Sequence, residues 1–280
     1  MRIRGLAGIR AARAIPKTAF ALGLGTMSVL AQTSAPAQAS AQTSAPAQAA
    51  AAPRVKLSAR FQPERLGAST TIHWSFTVSE PVPLRSIALR LPPGMGFAAS
   101  SLGLEPCQPE VLERLGPEGC PADSHIGFGQ ALAEVPAQST IQEHARVTVL
   151  LGPYLGEEET FLFFVEGKWP ANREIILTSH LLNLADPHGA TLLTDVPTLP
   201  VWPLGPEIEL THLESTIGPD KLTYYRRVRG RTVAFTPRGA TLPRQCPSGG
   251  FPVSAVFGWW TISGAAHAST RVPCPRHAGA

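Results

Sequence analysis

The chain has 280 residues, of which 44% are hydrophobic, 16% charged and 7% aromatic, with 28 prolines and 25 glycines. This composition excludes a coiled coil, a collagen-like repeat and a fully disordered chain. The net charge of +4 is unevenly distributed, since residues 1–50 hold five cations and no acid, residues 51–219 hold 10 cations and 19 acids, and residues 220–280 hold nine cations and one acid.

Residues 1–31 have the layout of an export signal. A basic stretch ending at Lys17 precedes fourteen uncharged residues, which suits a signal-peptide core and is shorter than the roughly 20 apolar residues of a membrane span. Small residues at Ala31 and Ala39 fit the cleavage rule. We therefore predict a signal peptide over 1–31, cleaved as late as Ala39, and a secreted or cell-wall-associated mature chain without a membrane span. An uncleaved anchor is the alternative.

A low-complexity linker is predicted over residues 32–53. The decapeptide AQTSAPAQAS at 31–40 returns almost unchanged at 41–50. Such a composition buries too little surface to offset the entropy lost on ordering. We expect a mobile linker, or alternatively a glycosylated or wall-spanning stalk, followed by a domain over 54–276 and a tail over 277–280.

From Arg54 onward the sequence predicts one β-strand after another. In Thr71–Val78 apolar and polar residues alternate, which is the period of a strand with one buried face. About a dozen such runs, broken by glycine and proline, predict an all-β, single β-sandwich-like domain. Helix signals are confined to Pro109–Leu115, which Gly116 ends. The other predicted strands are Ile87–Leu91, Val55–Phe61, Ile126–Val135, Ala145–Leu151, Thr160–Glu166, Glu174–Leu182, Glu207–Leu213, Leu222–Val228, Arg231–Phe235, Val253–Ile262 and Ala266–Val272.

Two of these strands carry aromatic residues in informative positions. Thr160–Glu166 is apolar on both faces, which predicts a central strand that is covered on both sides. Alternation along Val253–Ile262 places Trp259 on the apolar face and turns Trp260 to the other side. Trp260 is either covered by a loop or exposed as a platform on which a sugar could stack.

Prolines recur every three residues in residues 197–206, PTLPVWPLGP. This is the repeat of a polyproline II helix, which would align the prolines along one edge. The segment is then either a ligand for an aromatic-lined groove or a stiff crossover between strands with Trp202 packed down.

The four cysteines predict two disulfides. An even number of cysteines in an exported chain favours disulfides, and no close C-x-x-C pair supports a zinc site. The spacing favours Cys107 with Cys120, around the predicted helix, and Cys246 with Cys274, across the last strands.

No catalytic, cofactor or metal signature is present. The sequence lacks a G-x-S-x-G elbow, an H-E-x-x-H helix and a phosphate-binding loop. The tripeptide Asp123-Ser124-His125 holds triad residue types, but contiguous residues cannot form a triad across a cleft, so we interpret it as a turn. Scattered histidines and one aspartate are the only candidates for a metal site, and we expect them to lie apart: His180, Asp186, His188 and His212.

One cationic segment stands out near the C-terminus. We call this segment, with its return strand to Phe235, the arginine hairpin, because a turn near Gly230 would present its arginines together: Tyr224, Tyr225, Arg226, Arg227, Val228, Arg229, Gly230 and Arg231. Such a surface could bind an anionic wall polymer, acidic lipid or nucleic acid. The alternative is a solvated hairpin neutralised by acids of the same domain, such as residues 157–159.

Several short stretches between residues 57 and 275 carry a resemblance to a known family: Arg65–Thr71, Leu91–Phe97, Cys120–Ser124 before Gly127, Tyr224-Tyr225 leading to Thr232–Ala234, Cys246-Pro247 and Cys274-Pro275. With these stretches the chain resembles a family of exported proteins of high-GC Gram-positive bacteria to which no activity is assigned. A bacterial source also agrees with 20 arginines against 4 lysines. The resemblance implies export, paired cysteines and a β-rich fold, and it implies no functional residue.

These observations predict an exported, non-enzymatic structural or binding module of the cell envelope or extracellular space. The sequence does not identify a partner. The sharper hypothesis is a module that binds an anionic cell-wall polymer or polysaccharide through Trp260 and the arginine hairpin, and nucleic acid is not expected. The alternative is a secreted hydrolase whose acid/base pair has no sequence signature.

Overall fold

A computed structural model describes residues 51–97, 105–135, 140–156, 158–169, 172–183, 189–201, 205–218, 222–236 and 239–275. The predicted signal peptide, nearly all of the predicted linker and the tail lie outside the described residues. Within them the chain forms fifteen strands, one α-helix and two short 3-10 turns.

The elements are numbered in chain order. The strands are β1 (Val55–Gln62), β2 (Ser69–Val78), β3 (Leu84–Arg90), β4 (Gly96–Phe97), β5 (His125–Val135), β6 (Ile141–Leu151), β7 (Glu159–Gly167), β8 (Glu174–Asn183), β9 (Ala190–Asp195), β10 (Glu209–Ile217), β11 (Tyr224–Val228), β12 (Arg231–Phe235), β13 (Ala240–Thr241), β14 (Phe251–Trp259) and β15 (Ala266–Val272). The helix α1 is Pro109–Leu115, and the 3-10 turns are Pro117–Gly119 and Ala122–Ser124.

Thirteen of these strands form one antiparallel sheet. Its order is β1-β2-β10-β5-β6-β7-β8-β9-β3-β14-β15, and the short strands β13 and β4 extend it from the start of β2. The sheet curls until its edge strands β1 and β15 lie side by side. One face of each long strand is thereby turned towards a common interior, and the predicted all-β, sandwich-like class is confirmed.

The interior is a large apolar core whose members follow the predicted alternation. On β14 every second residue is buried, ending at Trp259, while Phe76 of β2 packs against Phe257 with ring centroids 5.0 Å apart. Fully burying one such side chain stabilises the fold by about 1.5–3 kcal/mol. The core therefore holds the opposite walls of the curled sheet together.

A second, smaller core lies on the outer face of β6 and β7. Leu162 and Phe164 of β7 are buried there beneath Leu112 of α1 and the disulfide Cys107–Cys120, while Phe161 and Phe163 belong to the main core. The prediction that this strand is covered on both faces is confirmed. Because α1 has seven residues, this packing rather than intrinsic helix propensity stabilises it.

Both predicted disulfides are present. Cys107 is joined to Cys120 and Cys246 to Cys274, and none of the four cysteines is free. The first bond closes the segment that contains α1, and the second links the segment before β14 to the segment after β15. The first bond therefore lies against the outer face of the central strands β6 and β7, and the second closes the β14–β15 pair at the edge of the sheet.

Two sequence interpretations need correction. The sequence does not predict strand β9, because Thr194 interrupts its apolar face. In the structure the Thr194 hydroxyl lies 2.6 Å from the Ser179 hydroxyl, and the hydrogen bond between these two buried groups removes the cost of burying them. The prolines of residues 197–206 do not align along one edge of a continuous polyproline II helix. The Val201 amide donates to the Pro206 carbonyl at 2.9 Å, so the described residues on either side of 202–204 lie next to each other. Trp202 lies outside the described residues.

Candidate functional site

A cavity opens inside the curl of the sheet. It lies where β5, β7 and β9 end and where β6, β8 and β10 begin, with residues 197–201 and 205–208 beside its mouth. The cavity has a volume of about 80 Å³ that the centre of a water molecule can reach. A single water needs roughly 10–15 Å³ of such volume, so the cavity has room for a small ligand.

Small residues on three neighbouring strands create this space. Ala131 of β5 pairs with Ala145 of β6, and Ala145 pairs with Gly167 of β7, so the three lie in one row across the sheet. Farther along the same strands Val147 and Phe163 point to the interior and fill it. The gap therefore follows from the register of the strands, which aligns three residues without bulk.

The walls are almost entirely apolar, apart from a few polar groups near the mouth. Glu143 of β6 is 4% exposed, and its carboxylate lies directly over Gly167, where any Cβ atom would overlap it. Arg173 is exposed at the mouth and donates to the Val201 carbonyl at 3.4 Å, which connects residues 197–201 to the start of β8. The glycine thus makes room for a buried carboxylate.

A second carboxylate faces the same cavity. Glu207 lines it, and the Oε2 atom of Glu207 is buried without a hydrogen-bond partner in the part of the chain that the structure describes. Burial, with the charges of Glu134 and Glu207 as smaller causes, raises the pKa of the neighbouring Glu209. This end of the cavity is therefore rich in hydrogen-bond acceptors, and it would attract a ligand group that donates hydrogen bonds.

Strands β11 and β12 form the predicted arginine hairpin as a separate two-stranded sheet. Arg229 and Gly230 form its turn with φ angles of 50° and 79°, the conformation of a two-residue type I′ hairpin. The side chains of Arg227, Arg229 and Arg231 are exposed, as is Tyr225 at 73%. Of Arg226 the structure describes only the backbone.

The hairpin begins and ends at the end of the sheet opposite the cavity mouth. It follows Gly218, just after β10, whereas β10 starts at the mouth; its base residue Tyr224 is buried. Burial, and to a smaller extent the charge of Asp123 just before β5, raises the pKa of Tyr224. The cavity and the arginine hairpin are thus two separate surfaces of the domain.

Of the acids proposed to neutralise the hairpin, Glu158 lies at hydrogen-bonding distance from His180, with 3.2 Å between its Oε2 atom and Nδ1 of the histidine. Glu157 lies outside the described residues. Within the described chain, Arg227, Arg229 and Arg231 form no ion pair. Their charges are therefore exposed to solvent.

Trp260 lies just beyond β14 and is 46% exposed. Its indole N–H donates to the Val196 carbonyl at 3.1 Å, and its amide donates to the Pro83 carbonyl at 3.0 Å. The residue is thus exposed rather than covered, and its hydrogen bonds hold the end of β14 against the start of β3 and the end of β9.

The remaining polar candidates do not converge. Ser124 donates to the Pro121 carbonyl at 2.7 Å, as expected for a turn, and His212 contacts the Thr77 hydroxyl at 3.0 Å. Asp186 and His188 lie outside the described residues. Among the residues that are described, no group of three or more His, Cys, Asp and Glu side chains could hold a metal ion.

Comparisons with models of protein families, with curated proteins and with solved structures find no match to this chain. No helix in the described ranges is both long enough and apolar enough to cross a membrane. Sequence reasoning missed the cavity altogether. Its sequence signal is a set of small residues in predicted strands or directly after one, and these become a row only when the strand register is known.

Proposed function

We propose that this chain is an exported, non-enzymatic binding module of the cell envelope or extracellular space. Its ligand is a small molecule with an apolar body and one hydrogen-bond-donating end. The observation that carries this proposal is the apolar cavity with Glu207 at its mouth. Apolar clefts with a few convergent polar groups are the usual form of small-molecule sites.

Two features of the cavity define the ligand. The walls, including Phe163 and Leu177, contain few groups that could hydrogen-bond to a sugar, so burial of apolar surface is the main source of affinity. The Oε2 atom of Glu207 needs a donor, since a buried acceptor without a partner costs about 1–3 kcal/mol. A hydroxyl or amine on the ligand supplies that donor.

Export is supported by the predicted signal peptide and by the two disulfides, because disulfides persist in oxidising compartments. N-terminal sequencing of the secreted protein should find a start after Ala31 or Ala39. Secreted protein that still begins at Met1 would contradict this part of the proposal.

Binding is tested with N-phenyl-1-naphthylamine, a fluorescent probe with an apolar body and one N–H donor. Residues 40–280 should bind one probe per chain, with a rise in fluorescence. Ala145→Leu adds three carbon atoms in the middle of the small-residue row and should weaken binding at least about tenfold, because it fills the space.

The matched control is Ala88→Leu, which adds the same atoms on the opposite face of β3, beside Leu193 and Val256. This variant should bind the probe like the wild type. Equal binding by both variants, or equal loss in both, would refute the cavity as the site. Glu207→Gln should retain the probe less tightly than the wild type, since the amide is a weaker acceptor.

A hydrolase is the second candidate, because Glu143 and Glu207 line one cavity and hydrolysis of glycosides uses two carboxylates. The test is release of product from aryl esters and aryl glycosides. We expect none. If the wild type turns over a substrate, and Glu143→Gln abolishes this turnover while it still binds the probe, the enzymatic proposal replaces the binding proposal.

A further inference from the structure

The arginine hairpin exposes apolar side chains among its cations. Val228 and Val233 are each 47% exposed and Tyr225 is 73% exposed, while Arg227 and Arg231 are exposed beside them. A hairpin whose only task was to connect β10 to β13 would gain nothing from valines in water, because exposed apolar surface is unfavourable.

The register of the hairpin places these residues on two faces. One face of the hairpin carries the paired residues Val228 and Arg231, together with Val233 and the buried Tyr224. The other face carries Tyr225 and Arg227. Each face therefore combines a cation with apolar surface. A partner that satisfies both faces needs negative charge and an apolar layer close together.

We propose that the arginine hairpin docks this domain on an anionic lipid bilayer. Lipid phosphates neutralise the three exposed arginines, Tyr225 lies at the headgroup level, and Val228 and Val233 enter the boundary of the acyl chains. A dissolved anionic polymer would neutralise the arginines and leave the valines in water, so the observations favour the lipid surface.

Docking at this end also orients the cavity. The hairpin begins after β10 and the cavity mouth lies where β10 starts, about nine residues of strand away. With a rise of about 3.4 Å for each of its eight steps, the two ends of β10 are roughly 27 Å apart. The hairpin base and the cavity mouth therefore lie at opposite ends of β10, and the mouth stays clear of the hairpin's contact with the bilayer. This inference is independent of the proposed ligand.

Co-sedimentation with lipid vesicles tests the proposal. Residues 40–280 should sediment with vesicles of phosphatidylcholine and phosphatidylglycerol at a ratio of three to one, should remain in solution with pure phosphatidylcholine, and should be released as salt rises. The triple variant Arg227→Ser, Arg229→Asn, Arg231→Ser should bind about a hundredfold more weakly, since each basic residue near an anionic leaflet strengthens binding about fivefold. Asparagine is chosen at 229 because it tolerates the positive φ of that residue.

The matched control removes three exposed cations elsewhere: Arg54→Ser, Arg90→Ser and Arg146→Ser. It has the same net charge as the hairpin variant and should bind vesicles nearly as well as the wild type. Thermal midpoints of both variants should equal that of the wild type, because the substituted side chains are exposed.

A second variant, Val228→Ser with Val233→Ser, keeps every arginine and tests the apolar contact. It should bind the anionic vesicles about tenfold more weakly and should bind dissolved polyglutamate as the wild type does. Wild-type protein that stays in solution with anionic vesicles at low salt overturns the proposal. Full vesicle binding by the valine variant also overturns it, in favour of a purely anionic polymer. Probe binding in the cavity is measured separately and is unaffected by either result.

Discussion

Replacing Gly167 by alanine tests the geometry of the cavity most directly. A Cβ atom at this position would overlap the Oε1 atom of Glu143 and lie 2.9 Å from its Cδ atom. The φ angle of Gly167 is not positive, so the backbone accepts alanine and the steric contact alone decides the outcome. Because Glu143 is 4% exposed and lines the cavity, the open space beside its carboxylate is the cavity itself.

The expected cost is the difference between two effects. Overpacking in a buried site destabilises the fold by about 1–3 kcal/mol. Replacing glycine by alanine also reduces the conformational entropy of the unfolded chain, which stabilises the fold by about 0.4–1 kcal/mol. We expect a net loss of about 1–2 kcal/mol in the free energy of unfolding, or about 2–8 °C in the thermal midpoint of a domain of this size. The displaced carboxylate should also weaken probe binding.

A double-mutant cycle isolates this contact. With Glu143→Ala in place, Gly167→Ala should cost nothing further, which gives a coupling free energy of about 1–2 kcal/mol. Gly96→Ala, whose new Cβ atom would meet Thr241 at an ordinary 3.7 Å, is the control and should not destabilise the domain. A Gly167→Ala variant as stable as the wild type, or a loss that Glu143→Ala does not rescue, would refute the reasoning.

Three further predictions concern stability. The Cys107–Cys120 bond spans 13 positions, so replacing both cysteines by alanine should lower the free energy of unfolding by about 3 kcal/mol. The Cys246–Cys274 bond spans 28 positions, and the same change there should lower it by about 3.5 kcal/mol. Denaturant unfolding measures both values. Because burial raises the pKa of Tyr224, its contribution to stability is complete below the unfolded value of about 10 and is lost as pH rises further, so Tyr224→Phe should flatten the fall of the thermal midpoint above pH 10. The pKa of Glu209 is also raised, so its ionisation opposes folding once pH exceeds the unfolded value of 4.5. Glu209→Gln should therefore raise the thermal midpoint at pH 7, and the gain should disappear at pH 4.

Features that depend on neighbours in the chain were predictable from the sequence. The alternation in Thr71–Val78 reproduces the buried face of β2, and helix Pro109–Leu115 has the bounds that its proline and Gly116 predict. The arginine hairpin also turns where glycine permits positive φ. In each case residues a few positions apart carry the whole signal, because backbone preference and side-chain period are local.

Features that depend on partners far apart in the chain were not predictable in this way. Strand β9 is polar at Thr194 because Ser179 of the neighbouring strand satisfies the hydroxyl, and no local pattern contains both residues. The position of the Trp260 side chain likewise depends on a distant partner, because its indole N–H donates to the carbonyl of Val196, 64 positions away.

The sequence by itself determined the all-β class, the disulfide pairs and the position of the cationic hairpin, since each follows from residue type and spacing. Only the tertiary structure decided that the domain contains a cavity and that Glu143 and Glu207 face it. Ala131, Ala145 and Gly167 are spread over 36 residues and form a row only through antiparallel register. A shift of one residue in that register would point each of them to the opposite face of the sheet and close the space.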